Sequence, residues 1–144
     1  MPLADIRNFV DVDGRIATSG QPSDAQLLDV AAAGYRHVIN LGLLDPKYCL
    51  ADERGSVASL GIGYEHIPVV FDAPTLDNFL RFVDAMDRSS TDRVFVHCAA
   101  NYRVSSFVSL YCQLRAGWSA VDADAHVRRL WEPNPVWSDF IARC

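Results

Sequence analysis

Apolar residues along the chain occur in two patterns, as short continuous runs and as longer stretches with helical spacing. The short runs predict strands at residues 15–18, 37–41, 64–69 and 94–96. The longer stretches follow capping or turn residues and predict helices over 22–34, 52–60, 74–86, 103–114, 119–131 and 135–144. Alternation of strands and helices predicts an α/β fold, with a mostly parallel central sheet flanked by helices and further helices at the C-terminal end.

The spacing of apolar residues also predicts the buried face of each helix. In the first helix this face consists of Leu27, Leu28, Val30 and Ala31. In the helix after Pro74 it consists of Leu76, Phe79, Leu80, Val83 and Met86. In the helix after residue 103 it consists of Phe107, Val108, Tyr111 and Leu114. We expect three large aromatic residues to attach the C-terminal helices to the core, namely Trp118, Trp131 and Trp137.

The composition is typical of a globular domain, with 144 residues of which 50% are hydrophobic and 22% are charged. This length favours a single domain over residues 1–144. The net charge of −5 disfavours a duplex nucleic-acid partner, because such proteins need clustered Lys and Arg. The first residues include Asp5 and lack an apolar run, so we expect neither a signal peptide nor a membrane span. The prediction is a cytoplasmic protein without a membrane partner.

The four cysteines are dispersed along the chain, at Cys49, Cys98, Cys112 and Cys144. They form no C-x-x-C pair, which is typical of reduced thiols and not of a disulfide framework or a zinc site. Asp122, Asp124 and His126 are residue types that can bind a metal ion. On a helix only Asp122 and His126, which are four residues apart, share a face. A solvated helix face is the simpler interpretation, and we predict no metal and no cofactor.

One strand–helix junction carries reactive residues. A predicted strand stops at His97 and Cys98, and the next helix begins at about Arg103. Ligands of open α/β sheets bind beyond the carboxyl ends of the strands, where a helix N-terminus presents unpaired N–H groups to an anion. Such a terminus and a nearby Arg favour the thiolate, which is the reactive form of cysteine. The small Ala99 and Ala100 let the backbone wrap an oxyanion, and Arg103 can add two parallel hydrogen bonds.

The residues around this junction resemble the cysteine-dependent protein tyrosine and dual-specificity phosphatases. The motif of that superfamily is V-H-C-x5-R followed by Ser or Thr, and the run here is Val96-His97-Cys98-Ala99-Ala100-Asn101-Tyr102-Arg103-Val104-Ser105. The upstream segments Ser19-Gly20-Gln21-Pro22 and Val38-Ile39-Asn40-Leu41 are similar to compact bacterial phosphatase-like proteins. Tyr64, Ile67-Pro68 and Asp72 match the segment that carries the general acid in those enzymes. The likeness covers roughly residues 15–112.

The resemblance implies hydrolysis of a phosphomonoester through a phosphocysteine intermediate. Cys98 would attack phosphorus, Asp72 would protonate the leaving oxygen, and His97 would orient the loop and help to keep Cys98 ionised. The phosphate-binding set implied by the motif comprises Ala99, Ala100, Asn101, Tyr102, Arg103 and Ser105. Asp72 precedes Pro74 and a helix, and an Asp in such a position is also typical of a turn or a helix cap. Asp77 is the reserve acid.

The loop departs from the phosphatase motif in its length. Four residues separate Cys98 from Arg103 where the motif has five, and the Gly of the motif and the hydroxyl directly after the Arg are missing. The shorter loop is similar to that of rhodanese-type sulfurtransferases, in which the Cys carries a persulfide. The upstream sequence does not resemble rhodanese, so sulfur transfer is the second hypothesis.

Two other interpretations remain open at this junction. One is a phosphate-binding module without turnover. In the other, Cys98 is one more small buried hydrophobe and Arg103 only begins a surface helix. The expected partner is a phosphorylated protein or small molecule, and the sequence decides neither which one nor the oligomeric state.

Two more features bear on the site. Asp45 and Pro46 form a turn signal, which opens a loop over residues 43–51 that can line the pocket and select the substrate. Cys112 is most simply a core residue, and the alternative is a resolving thiol for an oxidised Cys98.

Overall fold

The structure is a computed structural model that describes residues 2–144, and its centre is one five-stranded sheet. The strands are β1 (Val10–Asp11), β2 (Ile16–Ser19), β3 (His37–Asn40), β4 (Gly63–His66) and β5 (Val94–His97). They lie in the order β1-β2-β5-β3-β4, with the last four mutually parallel and β1 antiparallel at one edge. The mostly parallel sheet is confirmed, and β5 occupies its centre.

Residues 2–144 form six α-helices, namely α1 (Asp24–Ala32), α2 (Glu53–Ser59), α3 (Leu76–Arg88), α4 (Tyr102–Arg115), α5 (Ala120–Arg128) and α6 (Pro135–Arg143). In five of them the side chain of the N-cap residue accepts a hydrogen bond from a backbone N–H of the first turn. These N-cap residues are Ser23, Asp52, Thr75, Ser119 and Asn134. The cap of α4 differs, because Asn101 lies in the left-handed region at φ 68° and makes no capping bond. The first-turn N–H groups of α4 therefore stay available next to the end of β5.

Helices cover both faces of the sheet and form two cores. On one face, α1 and α2 pack on the sheet through Leu27, Val30 and Val57. On the other face, α3, α4 and α6 pack on the sheet around Phe79, Phe107 and Trp137. Trp137 is fully buried, and both Trp118 and Trp131 pack against the same core, as predicted. Within the described part of the chain, none of the helices is long and apolar enough to cross a membrane.

The strand predicted at 64–69 is wrong in its extent. β4 ends at His66, although Ile67 and Val69 remain fully buried. Pro68 has no N–H to donate to a strand ladder. The N–H groups on either side of it donate to carbonyl oxygens at and beyond the end of β3. The short antiparallel β1 was not predicted, because two residues carry no readable period.

Four leucines expected on buried helix faces are exposed by 54–58%, namely Leu28, Leu76, Leu80 and Leu114. In α3 the buried stripe consists of Phe79, Phe82, Val83 and Met86, which follow the three- and four-residue steps of one helix face. Leu76 and Leu80 lie beyond one edge of that stripe, and a one-dimensional pattern does not show where the contact surface ends.

Candidate active site

The centre of the sheet runs directly into the loop that carries the cysteine. His97 is the last residue of β5, Cys98 follows it, and α4 begins at Tyr102. Cys98 is only 1% exposed, so its thiol lies at the bottom of a depression in the surface. The predicted strand–loop–helix arrangement is present at the carboxyl end of the parallel strands.

Three successive carbonyl oxygens of this loop are held from outside it. The first, the carbonyl oxygen of Cys98, lies 3.4 Å from Nδ1 of His97. The next two, of Ala99 and Ala100, accept hydrogen bonds from the Gln21 N–H at 3.1 Å and from the Asn8 side chain at 2.9 Å. A trans peptide directs its C=O and N–H in opposite directions, and the described residues contain no cis peptide. The N–H groups of these peptides therefore point away from the three anchors.

Several backbone N–H groups around Cys98 have no acceptor among residues 2–144. They belong to the loop and to the first turn of α4, at Ala99, Ala100, Tyr102, Arg103 and Val104. Backbone N–H groups in folded proteins seldom stay unpaired. Successive N–H groups near a left-handed residue and a helix N-terminus form a concave anion-binding surface. The loop therefore has the geometry of an oxyanion cradle.

Asn101 supports this cradle from outside. Its side chain is buried, and Nδ2 donates to Asn8 O at 2.8 Å and to Thr18 Oγ1 at 3.0 Å. Asn adopts positive φ more readily than most residues, which suits this turn. Ser105, the other polar side chain of the predicted phosphate-binding set, donates its hydroxyl to Tyr102 O at 3.0 Å. Neither side chain is thus directed to the anion position.

Arg103 lies in the first turn of α4 and lines the same cavity as Cys98. The residue is 8% exposed, and one Nη1–H donates to the carbonyl oxygen of Val69 at 2.9 Å. Its guanidinium carbon lies 5.9 Å from the centre of the Phe71 ring. A guanidinium has five N–H donors, so this one bond positions the group and leaves donors for an anion.

The cavity above Cys98 has a volume of about 350 Å³. Its side walls are largely apolar and include Leu43, Tyr48, Phe71 and Tyr102, and Arg103 is the only cation among the lining residues. Leu43, Asp45 and Tyr48 bring loop 43–51 to this cavity, which the sequence left open. The Tyr102 ring is held in place by stacking on Trp131, with ring centres 4.8 Å apart.

The structure brings a carboxylate that the sequence did not indicate to the back of the loop. Glu53 is 4% exposed, and its Oε2 lies 2.6 Å from Nε2 of the fully buried His97. Its Oε1 accepts a hydrogen bond from the Gln21 side chain at 2.7 Å. Burial raises the pKa of Glu53, but His97, Gln21 and Tyr64 together hold that pKa below its usual value. Glu53 is thus a buried, ionised partner of His97.

The sequence offered only a weak signal for Glu53. A Glu in the first turn of a helix is ordinarily explained by the helix dipole. Its partner His97 lies 44 residues further along the chain. No local spacing connects the two residues.

The structure does not bring Asp72 to the cavity. Asp72 is exposed and lines a separate surface cleft with Pro74, Pro135 and Arg143. Asp77, the reserve acid, is exposed in the first turn of α3 and is also absent from the cavity wall. The carboxylate on that wall is Asp45, whose Oδ1 accepts the Lys47 N–H at 3.0 Å.

The remaining predicted candidates lie away from the site. Cys112 is buried in the core, as predicted, and burial raises the pKa of its thiol to about 11. Among the described residues, no group of His, Cys, Asp or Glu side chains could hold a metal ion. The solvated-face interpretation is wrong for His126, which is 5% exposed and packs against the Trp118 ring. Asp122 Oδ2 accepts the N–H of Ser119, the N-cap of α5, and Asp124 pairs with Arg128.

A mostly parallel sheet, with Cys98 after its central strand and Arg103 at the next helix start, is the arrangement of a protein tyrosine phosphatase-like fold. The sequence model of the family described as "DSP-PTPase phosphatase fused to NAD+ Kinase" matches residues 6–134. The chain belongs to this family, within the protein tyrosine and dual-specificity phosphatase superfamily. The resemblance stated from the sequence is confirmed.

Known proteins similar to this chain agree with this placement. A crystal structure from Shewanella putrefaciens CN-32, described as that of a candidate phosphatase, has a TM-score of 0.90 and 29% identity, covering 98% of this chain and 90% of that one. Tk-PTP in its active form has a TM-score of 0.80, covers 94% of each chain and, at 20% identity, shows the fold alone. The "Beta-lactamase hydrolase-like protein" of Xylella fastidiosa (strain Temecula1 / ATCC 700964) is 30% identical over 105 residues. That match covers 71% of this chain but spans only 24% of the length of the relative.

Proposed function

We propose that the chain hydrolyses phosphomonoesters through a phosphocysteine intermediate on Cys98. The unpaired N–H groups of the loop, which surround Cys98 together with Arg103, are the observation that carries this proposal. The Cys98 thiolate attacks phosphorus, the ester P–O bond breaks, and the N–H groups and Arg103 stabilise the equatorial oxygens. Water then attacks the phosphocysteine, which releases orthophosphate and regenerates the thiolate.

The leaving oxygen needs a proton, and we assign this role to Asp45. Asp45 lines the cavity, whereas Asp72 and Asp77 lie on other surfaces. A general acid must come within hydrogen-bond reach of the atom it protonates, directly or through one water. In the second step the Asp45 carboxylate accepts a proton from the attacking water.

The walls of the cavity indicate the class of substrate. One cation faces the cavity, and the upper walls consist mainly of aromatic and aliphatic side chains. A ligand with several phosphates would place its additional charges against these apolar walls without partners. The site therefore suits a single phosphate on an apolar leaving group, whether that group belongs to a protein or to a small molecule.

One observation favours sulfur transfer as a second candidate. The loop has four residues between Cys98 and Arg103, so it has one N–H fewer than the phosphatase motif. In that reaction the Cys98 thiolate takes the outer sulfur of thiosulfate, the S–S bond breaks and sulfite leaves. The persulfide then transfers this sulfur to cyanide as thiocyanate. Phosphate binding without turnover would leave both assays without product.

The deciding experiment compares the wild-type protein with Cys98→Ser. We expect the wild-type protein to hydrolyse nitrophenyl phosphate, to retain this activity in EDTA and to be inhibited strongly by vanadate. Cys98→Ser is expected to fold normally but to be inactive, because a Ser hydroxyl does not ionise near neutral pH. Thiocyanate production from thiosulfate and cyanide, together with insensitivity to vanadate, would replace the phosphatase proposal by sulfur transfer.

The acid is tested separately with alkyl and nitrophenyl phosphates. Asp45→Asn is expected to slow alkyl ester hydrolysis by about 10²-fold and to have little effect on nitrophenyl phosphate, whose leaving group scarcely needs a proton. Asp72→Asn is the matched control and should hydrolyse both substrates normally. The opposite result for these two variants would return the role to Asp72.

A further inference from the structure

Glu53 is a buried acid with no part in the chemistry proposed above. It stands in the first turn of α2, directly after the loop that lines the cavity, and only 2% of its side chain is exposed. Placing a carboxylate in such a position is costly unless partners compensate the lost hydration. Its contacts therefore indicate what it holds in place.

Glu53 connects two of the three anchors of the loop. His97, whose Nδ1 lies 3.4 Å from Cys98 O, has its Nε2 2.6 Å from a carboxylate oxygen of Glu53. Gln21, whose backbone N–H holds Ala99 O, donates its side-chain amide to the other carboxylate oxygen at 2.7 Å. One carboxylate thus sets the position of the two groups that orient the peptides on either side of Ala99.

The contacts of His97 also suit one charge state of its ring. One ring nitrogen faces the carbonyl oxygen of Cys98 and the other faces the carboxylate of Glu53. Neither a carbonyl oxygen nor an ionised carboxylate can donate a hydrogen bond, so both contacts are hydrogen bonds only when each ring nitrogen carries a proton. A ring with both protons is an imidazolium cation, and a fully buried cation requires a fixed anion beside it.

We propose that Glu53 is a positioning residue, which keeps His97 as an imidazolium behind the loop and thereby maintains Cys98 as a thiolate with the Ala99 N–H turned inward. The proposal rests on the proposed function only in taking Cys98 as the nucleophile. It assigns no proton transfer to either residue. The imidazolium acts as a fixed charge and donor on the carbonyl side of the Cys98–Ala99 peptide.

Tyr64 is a further ionisable group beside this pair. Burial raises the pKa of Tyr64 to about 12. A hydrogen bond from Asn40 opposes this rise, and the charge of Glu53 adds to it. Arg54, also in α2, lies over the Tyr64 ring at 5.1 Å. On the cavity side of the loop, the charged residues of the lining are Arg103 and Asp45.

The test measures Cys98 ionisation in Glu53→Gln, a variant of nearly equal volume without the charge. Alkylation by iodoacetamide is followed at each cysteine by mass spectrometry between pH 4 and 9. We expect the midpoint of the Cys98 profile to move to higher pH by about one unit, which slows alkylation at the acid end about tenfold. The rate on the alkaline plateau should stay unchanged, because the thiol remains accessible.

Two controls separate this role from a structural one. Asp92→Asn breaks a second His–carboxylate pair, since Asp92 Oδ2 lies 2.9 Å from His37 Nε2. This pair lies at the amino ends of β3 and β5, remote from the loop, so the variant should leave the midpoint unchanged. His97→Asn keeps a donor near the former Nδ1 but loses the contact with Glu53, and it should shift the midpoint as Glu53→Gln does. In the His97→Asn background, Glu53→Gln should add no further shift.

A folded Glu53→Gln protein with the wild-type midpoint would overturn the inference. If this variant does not fold, Glu53→Asp decides, because it retains the charge. A midpoint near that of the wild type would then support the role, and a midpoint as high as in His97→Asn would overturn it. The readout needs no turnover, so a missing phosphatase activity with a shifted midpoint would reject the proposed function alone.

Discussion

His97 behind the loop and His126 in α5 are both buried, but their surroundings are opposite. His97 is fully buried between a carboxylate and a carbonyl oxygen. His126 is 5% exposed, its Nε2 has no partner among the described residues, and its ring packs edge-on against Trp118. Burial first, and then the charge of Arg129, lowers the pKa of His126 to about 4.

The difference shows what a fold must supply to keep a charge in its interior. An imidazole surrounded by apolar groups loses its proton and behaves as a flat hydrophobe. An imidazole next to a buried carboxylate can keep its charge, but it then depends on that carboxylate. In the loop region the ring of His97 lies beside the Glu53 carboxylate, whereas in the C-terminal helices the ring of His126 packs against Trp118.

Removing each ring should give the largest contrast. We expect His97→Leu to lower the free energy of unfolding by about 3–5 kcal/mol at pH 7, because the Glu53 carboxylate is left buried without its partner. His126→Leu should change it by less than about 1 kcal/mol, since a neutral ring with an unpaired nitrogen is replaced by an apolar group. Urea unfolding of both variants is the measurement, and equal losses would contradict the contrast.

Acid should act mainly on the C-terminal histidine. The unfolded chain binds a proton at His126 below about pH 6.5, and the folded protein does so only near pH 4. Because the unfolded chain takes up this proton first, the free energy of unfolding decreases as the pH falls from 6.5 to about 4, by about 3 kcal/mol in total. Above and below this range His126 makes no pH-dependent difference. Urea unfolding of wild type and His126→Leu across this range should show a loss that is much smaller in the variant. Parallel pH curves would place the titrating group elsewhere.

Two glycines provide a matched pair for the two regions. A Cβ on Gly20 would lie 2.6 Å from Ala99 O, so Gly20→Ala must displace the loop. We expect it to lower kcat/KM by about 10–100-fold, as a shift of the reacting groups by a few tenths of an ångström or more does. Gly117→Ala, at φ 75° with no atom within 4 Å of the new Cβ, should cost about 1 kcal/mol of stability and leave activity unchanged. Normal activity in Gly20→Ala would show that the loop tolerates displacement.

The smallest effect is expected from an exposed ion pair. Arg128 Nε and Asp124 Oδ2 lie 3.0 Å apart on the surface of α5, and both side chains are at least half exposed. Arg128→Ala should therefore lower stability by less than about 0.5 kcal/mol, far below the loss in His97→Leu. Thermal unfolding at low and high salt measures it, and a loss above 1 kcal/mol would mean that the pair is more than a surface contact.

Features encoded locally could be predicted from the sequence. The run from β5 through Cys98 to Arg103 is contiguous, so its strand–loop–helix form followed from neighbouring residues. The same residues led to the prediction of an anion-binding loop. Turn residues also predicted a loop at 43–51, but whether this loop lines the pocket was left open by the sequence. Exposure of Leu76 and Leu80 was not predicted, since the helical period gives the direction of a stripe but not the width of the surface that covers it.

The sequence by itself determined the alternation of strands and helices and the family motif, and it placed Cys98 between a strand and a helix, because these features depend on residues close together along the chain. Tertiary structure decided which carboxylates lie at the site. It placed Asp45 on the cavity instead of Asp72, and it joined Glu53 to His97 across 44 residues. Contacts between distant segments depend on how the helices pack on the sheet, and no spacing within either segment records that packing.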